Sequence, residues 1–147
     1  GNLLVFGGAD VLWLGLRTGL SATTGLGNTL FNNANAGIAV GDSNTAAVNT
    51  QTDLQATTAS TNRHTKAMDA TYPTHTTGTG SSTSSKIVFK ATFSSSQANF
   101  VWNEWAIKNR VGQTAALAGR MLNRKVENLG TKTSAATWAF TVTLSLA

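Results

Sequence analysis

Residues 99–109 read NFVWNEWAIKN, and this stretch predicts the strand around which the fold is built. Its aromatic and branched apolar residues are typical of β-strands. Strict two-residue alternation places Trp102 and Glu104 on one face of the strand and Trp105 on the other. Both faces are largely apolar, so we expect the strand to be covered on both sides.

Glu104 stands between the two tryptophans of this strand, in a chain with only six acidic residues. A buried carboxylate costs several kcal/mol unless it is hydrogen-bonded or protonated. Backbone amides of a neighbouring loop, or an arginine, would supply the hydrogen bonds. We therefore predict that Glu104, with Trp102 and Trp105, forms a structural latch between the sheet and a loop, and that Glu104 is not a catalytic acid.

The remaining pattern predicts a mainly β domain. Apolar residues alternate over 86–93 and 138–146, which is the signature of strands with one buried face. Further strands are predicted within 30–41 and over 120–127, the latter with Leu122 and Val126 inward. Four or more short strands favour an antiparallel β-sandwich or a small barrel, carrying an N-terminal helix or arm.

The length of 147 residues fits one such domain, which we assign to residues 30–147. Two segments of this domain are predicted to be exposed. Residues 74–85, THTTGTGSSTSS, contain no apolar side chain, and residues 108–112 form a turn ending at Gly112.

Residues 1–29 form an apolar N-terminal segment and a connector. Asn2 is suited to cap a helix, so a helix or an arm is predicted up to Leu16. Its apolar surface is too large to stand alone, and it either closes the core of its own domain or docks on a neighbouring subunit. We favour docking. The candidate docking residues are Leu3, Leu4, Phe6, Trp13 and Leu16.

Charge and composition make several partners unfavourable. The net charge is +5, but the 11 lysines and arginines are dispersed along the chain, so no specific nucleic-acid partner is predicted. No run reaches the roughly 18 apolar residues of a membrane span, so no membrane partner is predicted either. The absence of cysteine excludes disulfides, thiolate nucleophiles and cysteine zinc sites.

Motifs for enzyme chemistry are weak. Residues 41–43, Gly-Asp-Ser, are similar to the start of some esterase motifs, but a serine nucleophile needs a base that is itself oriented by a carboxylate. The two histidines, His64 and His75, form no such arrangement, and they show no spacing typical of metal ligands. We predict no enzymatic activity, no catalytic residue, no metal and no cofactor.

Two carbohydrate alternatives stay open at this point. Glu104 and Glu127 would suit a glycosidase if they met in space. Trp102 or Trp105 would suit a sugar-binding groove if either were exposed. Exposure of these tryptophans therefore separates a carbohydrate-binding module from a structural protein.

Beyond these single features, an ordered set of motifs resembles a class of small β-rich virion proteins of tailed bacteriophages. Each motif alone is weak, and the order is what carries the resemblance. The motifs are GIAVGD at 37–42, TDL at 52–54, NEWAI at 103–107, GRMLNR at 119–124 and TVTL at 141–144. Ala106 departs from the pattern, because glycine is usual there, and Lys108 stands where the family often has phenylalanine.

The resemblance implies a virion protein without enzymatic activity. A compact domain lacking a fibre or coiled coil fits a head decoration or cement protein that binds the major capsid protein and forms a homo-oligomer. The alternative within the same class is a tail collar, fibre or baseplate adaptor that binds tail proteins.

Overall fold

The computed structural model describes Leu3–Leu4 and residues 31–75, 86–109 and 120–145. These residues form eight strands and contain no helix. The strands are β1 (Leu3–Leu4), β2 (Ala36–Gly41), β3 (Arg63–Ala67), β4 (Thr74–His75), β5 (Lys86–Phe93), β6 (Val101–Asn109), β7 (Met121–Thr131) and β8 (Trp138–Ser145).

The strands form two sheets in which every pairing is antiparallel. The large sheet has the order β1-β7-β6-β2-β3, and the small sheet has the order β4-β5-β8. Buried residues of both sheets belong to one apolar cluster, with Ile38 and Ile107 from the large sheet and Phe89 and Val142 from the small one. The predicted mainly β sandwich is confirmed.

The alternation predicted for the small sheet is also present. On β5 the side chains of Phe89, Ala91 and Phe93 are buried, and the intervening residues are half-buried. On β8 the inward stripe is Trp138, Phe140, Val142 and Leu144, of which only Val142 is fully buried. Because every second side chain of a strand points to the same face, each strand presents one apolar stripe to the large sheet.

Strand β6 lies in the middle of the large sheet and is buried from Trp102 to Asn109, as expected for a strand covered on both sides. Strict alternation, however, was the wrong prediction. The pairing with β7 is irregular between Trp102 and Glu104, where two steps along β6 face the four steps along β7 from Gly130 to Val126, and this bulge breaks the alternation of β6. Trp102 and Trp105 therefore both enter the sandwich core, and Glu104 lies on the opposite face.

Of the two forms predicted for the N-terminal segment, a helix or an arm, the described residues have the extended form. Leu3 and Leu4 are extended and pair with Arg124 and Asn123 at the edge of β7. An edge strand offers unpaired N–H and C=O groups, which an extended segment satisfies and a helix does not. The side chains of Leu3 and Leu4, and the candidate docking residues Phe6, Trp13 and Leu16, lie outside the described residues, so their docking role stays a prediction.

Three other boundaries differ from those expected. Thr74–His75 belong to β4 and pair with β5, while residues 76–85 lie outside the described part. Strand β6 runs through Lys108 to Asn109, so Lys108 is a strand residue and not part of a turn. Strand β7 continues to Thr131, four residues past the predicted end, with Leu122 buried and Val126 half-buried.

His64 on β3 provides a pH test of the packing. Its ring lies 6.1 Å from that of Phe93, and burial, assisted by the charge of Lys66, lowers the pKa of His64 below 6.5. Between the folded pKa and 6.5 the unfolded chain binds more protons, so stability falls as the pH falls through this window. We expect urea unfolding from pH 7.5 to 5 to show this slope in the native protein and a smaller slope in His64→Gln. Equal slopes would contradict the burial of a neutral imidazole.

Candidate functional site

Glu104 is fully buried beneath the segment of residues 42–62, which we call the covering loop. Its Oε1 accepts the backbone N–H of Ala56 at 2.7 Å, and its Oε2 accepts that of Gln55 at 3.1 Å. The Nε–H of Arg124 donates to Oε2 at 2.6 Å. Loop amides and an arginine are the two kinds of donor that we expected from the sequence.

Arg124 on β7 extends this contact to two more points of the loop. Besides Glu104, its guanidinium donates to Oε1 of Gln51 at 2.8 Å and to the backbone carbonyl of Thr45 at 2.8 Å. Gln51 in turn accepts the N–H of Val48. One fully buried guanidinium thus joins β6 and β7 to the first half of the covering loop.

Asp53 forms a second ionic centre between the same loop and sheet. Its carboxylate pairs with Nη2 of Arg63 on β3 at 3.1 Å and with Nζ of Lys108 on β6. It also accepts the N–H of Leu54, whose carbonyl accepts Nη1 of Arg63 at 3.3 Å. Burial lowers the pKa of Lys108, against the opposing effect of Asp53.

The two centres share one face of the large sheet. Together they contain three cations and two carboxylates, which we call the buried charge network: Asp53, Arg63, Glu104, Lys108 and Arg124. Asp53 is 36% exposed, and each of the other four is at most 3% exposed. Removal of one partner from a buried ion pair is strongly destabilising, because the remaining charge is left buried and unpaired. The network therefore fixes the conformation of the covering loop on the sheet.

An apolar patch and polar contacts at the ends of the covering loop also hold the loop against the sheet. Ala39, Ala106, Leu54 and Met121 form a small buried cluster between sheet and loop. At the start of the loop, Asn103 in the β6 bulge donates to the carbonyl of Asp42 at 3.0 Å. The bulge thus turns an amide toward the loop that strict alternation would have placed in the core.

Gly41 on β2 lies opposite Glu104 and leaves room for its carboxylate. A Cβ at this position would lie 2.5 Å from Oε1 of Glu104 and 2.9 Å from Cβ of Ala56. We expect Gly41→Ala to lower the free energy of unfolding by about 1–3 kcal/mol, because both neighbours are buried and held by hydrogen bonds. Denaturant unfolding measures the loss. Thr57→Ala, an exposed change in the same loop, should stay within about 0.5 kcal/mol, and an equal effect of the two would contradict the close approach.

The tryptophans do not join Glu104, and the predicted latch of three residues is corrected accordingly. Trp102 and Trp105 are 1% and 6% exposed and pack inside the sandwich. The indole N–H of Trp102 donates to the carbonyl of Ala98 at 2.9 Å, and that of Trp105 donates to Glu127 at 3.4 Å. The β6 bulge is the physical cause, since it moves Trp102 to the face of Trp105.

The structure also separates the two glutamates of the glycosidase alternative. Glu127 is exposed and pairs with Lys125 at 2.8 Å, and this hydrogen bond is the main cause that lowers the pKa of Glu127. Glu104 is saturated by three donors on the loop side. The two carboxylates therefore do not face a common space.

Four members of the network were not predicted as site residues: Asp53, Arg63, Lys108 and Arg124. Asp53 and Arg124 belong to motifs noted in the sequence, although nothing local shows that they meet. Lys108 was assigned to a turn. A signal for Lys108 is present in the sequence, because this charged residue directly follows a run of buried strand positions. A charged side chain there must find a partner if the strand is covered on both faces.

A groove opens beside β8. Its volume is about 370 Å³, and its lining is mostly aromatic and apolar. The lining residues are Trp102, Leu129, Thr137, Trp138, Ala139 and Phe140. The half-buried rings of Trp138 and Phe140 reach it from the inward face of β8.

Comparison with known proteins gives no relative. The chain matches no protein-family model, no curated protein and no solved structure at a significant level. Within the described residues, no three His, Cys, Asp or Glu side chains are grouped so as to hold a metal ion. No helix of the described part is long and apolar enough to cross a membrane.

Proposed function

We propose that this protein is a non-enzymatic structural subunit of a phage virion, and most specifically a decoration or cement protein bound to the major capsid protein. One observation carries the proposal. Four of the five motifs behind the resemblance contribute a residue to the same sealed contact: Gly41, Asp53, Glu104 and Arg124. The motifs thus have a common physical purpose, which is to hold the covering loop on the sheet.

The chemistry of the contact supports a structural role. Glu104 and Arg124 are fully buried and bonded to each other and to the loop, so neither reaches a substrate in solvent. Ser43 donates its hydroxyl to Thr45 and accepts the N–H of the same residue, which is the geometry of a local turn. A particle-bound protein gains from such a rigid loop, because less ordering entropy is lost when it binds.

Two alternative functions remain to be compared with this proposal: a tail adaptor and a carbohydrate-binding module. A tail collar, fibre or baseplate adaptor would use the same fold and the same network, and it differs from the first proposal in its location and in its partners, which are tail proteins. A carbohydrate-binding module based on Trp102 or Trp105 is disfavoured, because both rings are buried in the core.

Electron microscopy of virions carrying this protein tests the location. Fusion of a small tag to the C-terminus should add density at symmetric positions on the head. Added density at the tail would support the adaptor and overturn the cement role. Absence from purified particles, with the protein found only in the soluble fraction, would overturn the virion proposal as a whole.

An esterase assay tests the non-enzymatic part. We expect p-nitrophenyl acetate hydrolysis at the rate of a matched noncatalytic protein, with the same rate in Ser43→Ala. The reason is that Ser43 has no histidine among its described hydrogen-bond partners. Turnover that disappears in Ser43→Ala would contradict the proposal.

A further inference from the structure

The four strands at the sheet edges are protected unequally. In the described part of the chain, β1 and β4 are edge strands of only two residues each. Strand β3 is longer, but its sequence RHTKA carries two permanent cations. Strand β8 has eight residues, WAFTVTLS, with neither a charge nor a proline. Short length and charged side chains are the usual protections against edge-to-edge pairing, and β8 has none of them.

Within the described residues the small sheet ends at β8, and no further strand of that sheet lies beyond it. The aromatic groove opens beside this strand and is lined by residues of both sheets, among them Trp102 and Leu129 of the large sheet and Trp138 of β8. Phe140 and Leu144 are only half-buried, although the matching stripe of β5 has three fully buried residues.

We propose that β8 pairs antiparallel with β8 of a second copy of this chain. The two small sheets then join into one sheet of six strands across a two-fold axis. In an antiparallel pair, directly opposed residues point to the same face. The inward apolar stripes of the two β8 strands therefore lie on the same face of the joined sheet. The β8 strand of the second copy closes the groove beside Trp138. The inference does not depend on a virion role.

A second copy fits this edge better than an unlike partner, for a reason of charge. An isologous contact places the same patch on both sides, so any charge on β8 would meet its own copy. A neutral strand of alternating Thr and apolar residues meets itself without repulsion. The chain's net charge of +5 is held elsewhere, since none of the eight β8 residues is ionisable.

The proposed β8–β8 contact buries a small area, so we expect a dimer that forms only at high protein concentration. One strand pair and two closed grooves correspond to the lower end of specific interfaces, roughly 1,000 Å² in total. Sedimentation equilibrium over a wide range of protein concentration should show a reversible change from monomer to dimer.

Charge placed on the outward face of β8 tests the contact without disturbing the fold. Thr141 and Thr143 are exposed, and Thr141 lies opposite Lys90 of β5, so glutamates are tolerated within one copy. The double variant Thr141→Glu/Thr143→Glu is expected to weaken dimerisation at least tenfold. The matched control Thr57→Glu/Thr58→Glu, at exposed loop positions, should dimerise like the native protein.

Cross-linking of single engineered cysteines then locates the contact between copies, because the native chain has no cysteine. Under mild oxidation, Thr141→Cys or Thr143→Cys should give a covalent dimer, and Thr57→Cys should not. A native protein that stays monomeric up to about 1 mM, the weak end of the affinity scale, would overturn the proposal. So would a dimer that survives the β8 glutamates and gives no β8 cross-link, since another face would then hold the copies together.

Discussion

Replacing Glu104 by leucine is expected to lower the free energy of unfolding by about 3–5 kcal/mol, as for the loss of one partner from a buried ion pair. Leucine removes the acceptor of three donors at once: the N–H groups of Ala56 and Gln55 and the Nε–H of Arg124. The guanidinium would then be left among neutral partners in a site without exposure to solvent.

Glu104→Gln should cost less, roughly 1–3 kcal/mol. Its carbonyl oxygen can take the position of Oε2 and keep the bonds to Gln55 and Arg124, while its amide group faces the N–H of Ala56 without accepting from it. Denaturant unfolding of both variants checks the order. Equal and negligible losses would show that Glu104 is solvated.

A control in the same sheet sharpens this test. Glu127→Leu removes a carboxylate from β7 that is 42% exposed and pairs with Lys125 on the surface. Surface ion pairs contribute about 0–1 kcal/mol. The indole N–H of Trp105 also loses its acceptor at 3.4 Å, which adds about 1 kcal/mol, so a change well below that of Glu104→Leu is expected. A loss for Glu127→Leu as large as that for Glu104→Leu would mean that burial does not decide the effect.

The strands could be predicted from the sequence wherever one face alone is buried. Over β8, and over β5 from Phe89 onward, each apolar residue is followed by a small or polar one, and the period of two follows directly from strand geometry. The burial of Glu104 could also be predicted, because the residues around it are apolar on both faces. These inferences need only local sequence.

The partners of Glu104 could not be predicted in the same way. Arg124 lies 20 residues from Glu104 and Gln55 lies 49 residues from it, so their contact depends on sheet order and register. Strand β6 itself has no glycine or proline between Trp102 and Trp105 that would mark the bulge. The marker is Gly130 of β7, which pairs with Trp102 and has a φ of +100°, but that it lies opposite Trp102 depends on the register. Strict alternation along β6 alone therefore places Trp102 on the wrong side.

The pairing of Leu3 and Leu4 with β7 has a similar cause. Their apolar character indicates burial, but a two-residue strand has no period that would distinguish it from a helix. The deciding factor is the free edge of β7, which exists only after the large sheet has formed.

Trp102→Ala is expected to lower the free energy of unfolding by about 3–5 kcal/mol, the range for removing a large core aromatic. Its ring is 4.8 Å from that of Phe93 and 5.0 Å from that of Trp138, both in edge-to-face geometry. The side chain is 1% exposed, and its loss leaves the carbonyl of Ala98 without the indole donor. Thermal or denaturant unfolding gives the loss directly.

Trp138→Ala is the matched comparison, because Trp138 packs against the same ring of Trp102 from the half-buried edge of the groove. Truncating it should cost less stability, since less of its surface leaves water on folding, and it should weaken the β8 contact between copies. If Trp102 were instead a sugar platform, Trp102→Ala would keep native stability and abolish binding to a glycan array. A core residue gives the reverse: glycan binding is absent in both proteins, and stability falls in the variant. These results would assign Trp102 to the folding of one subunit and Trp138 to the proposed β8 contact between two copies.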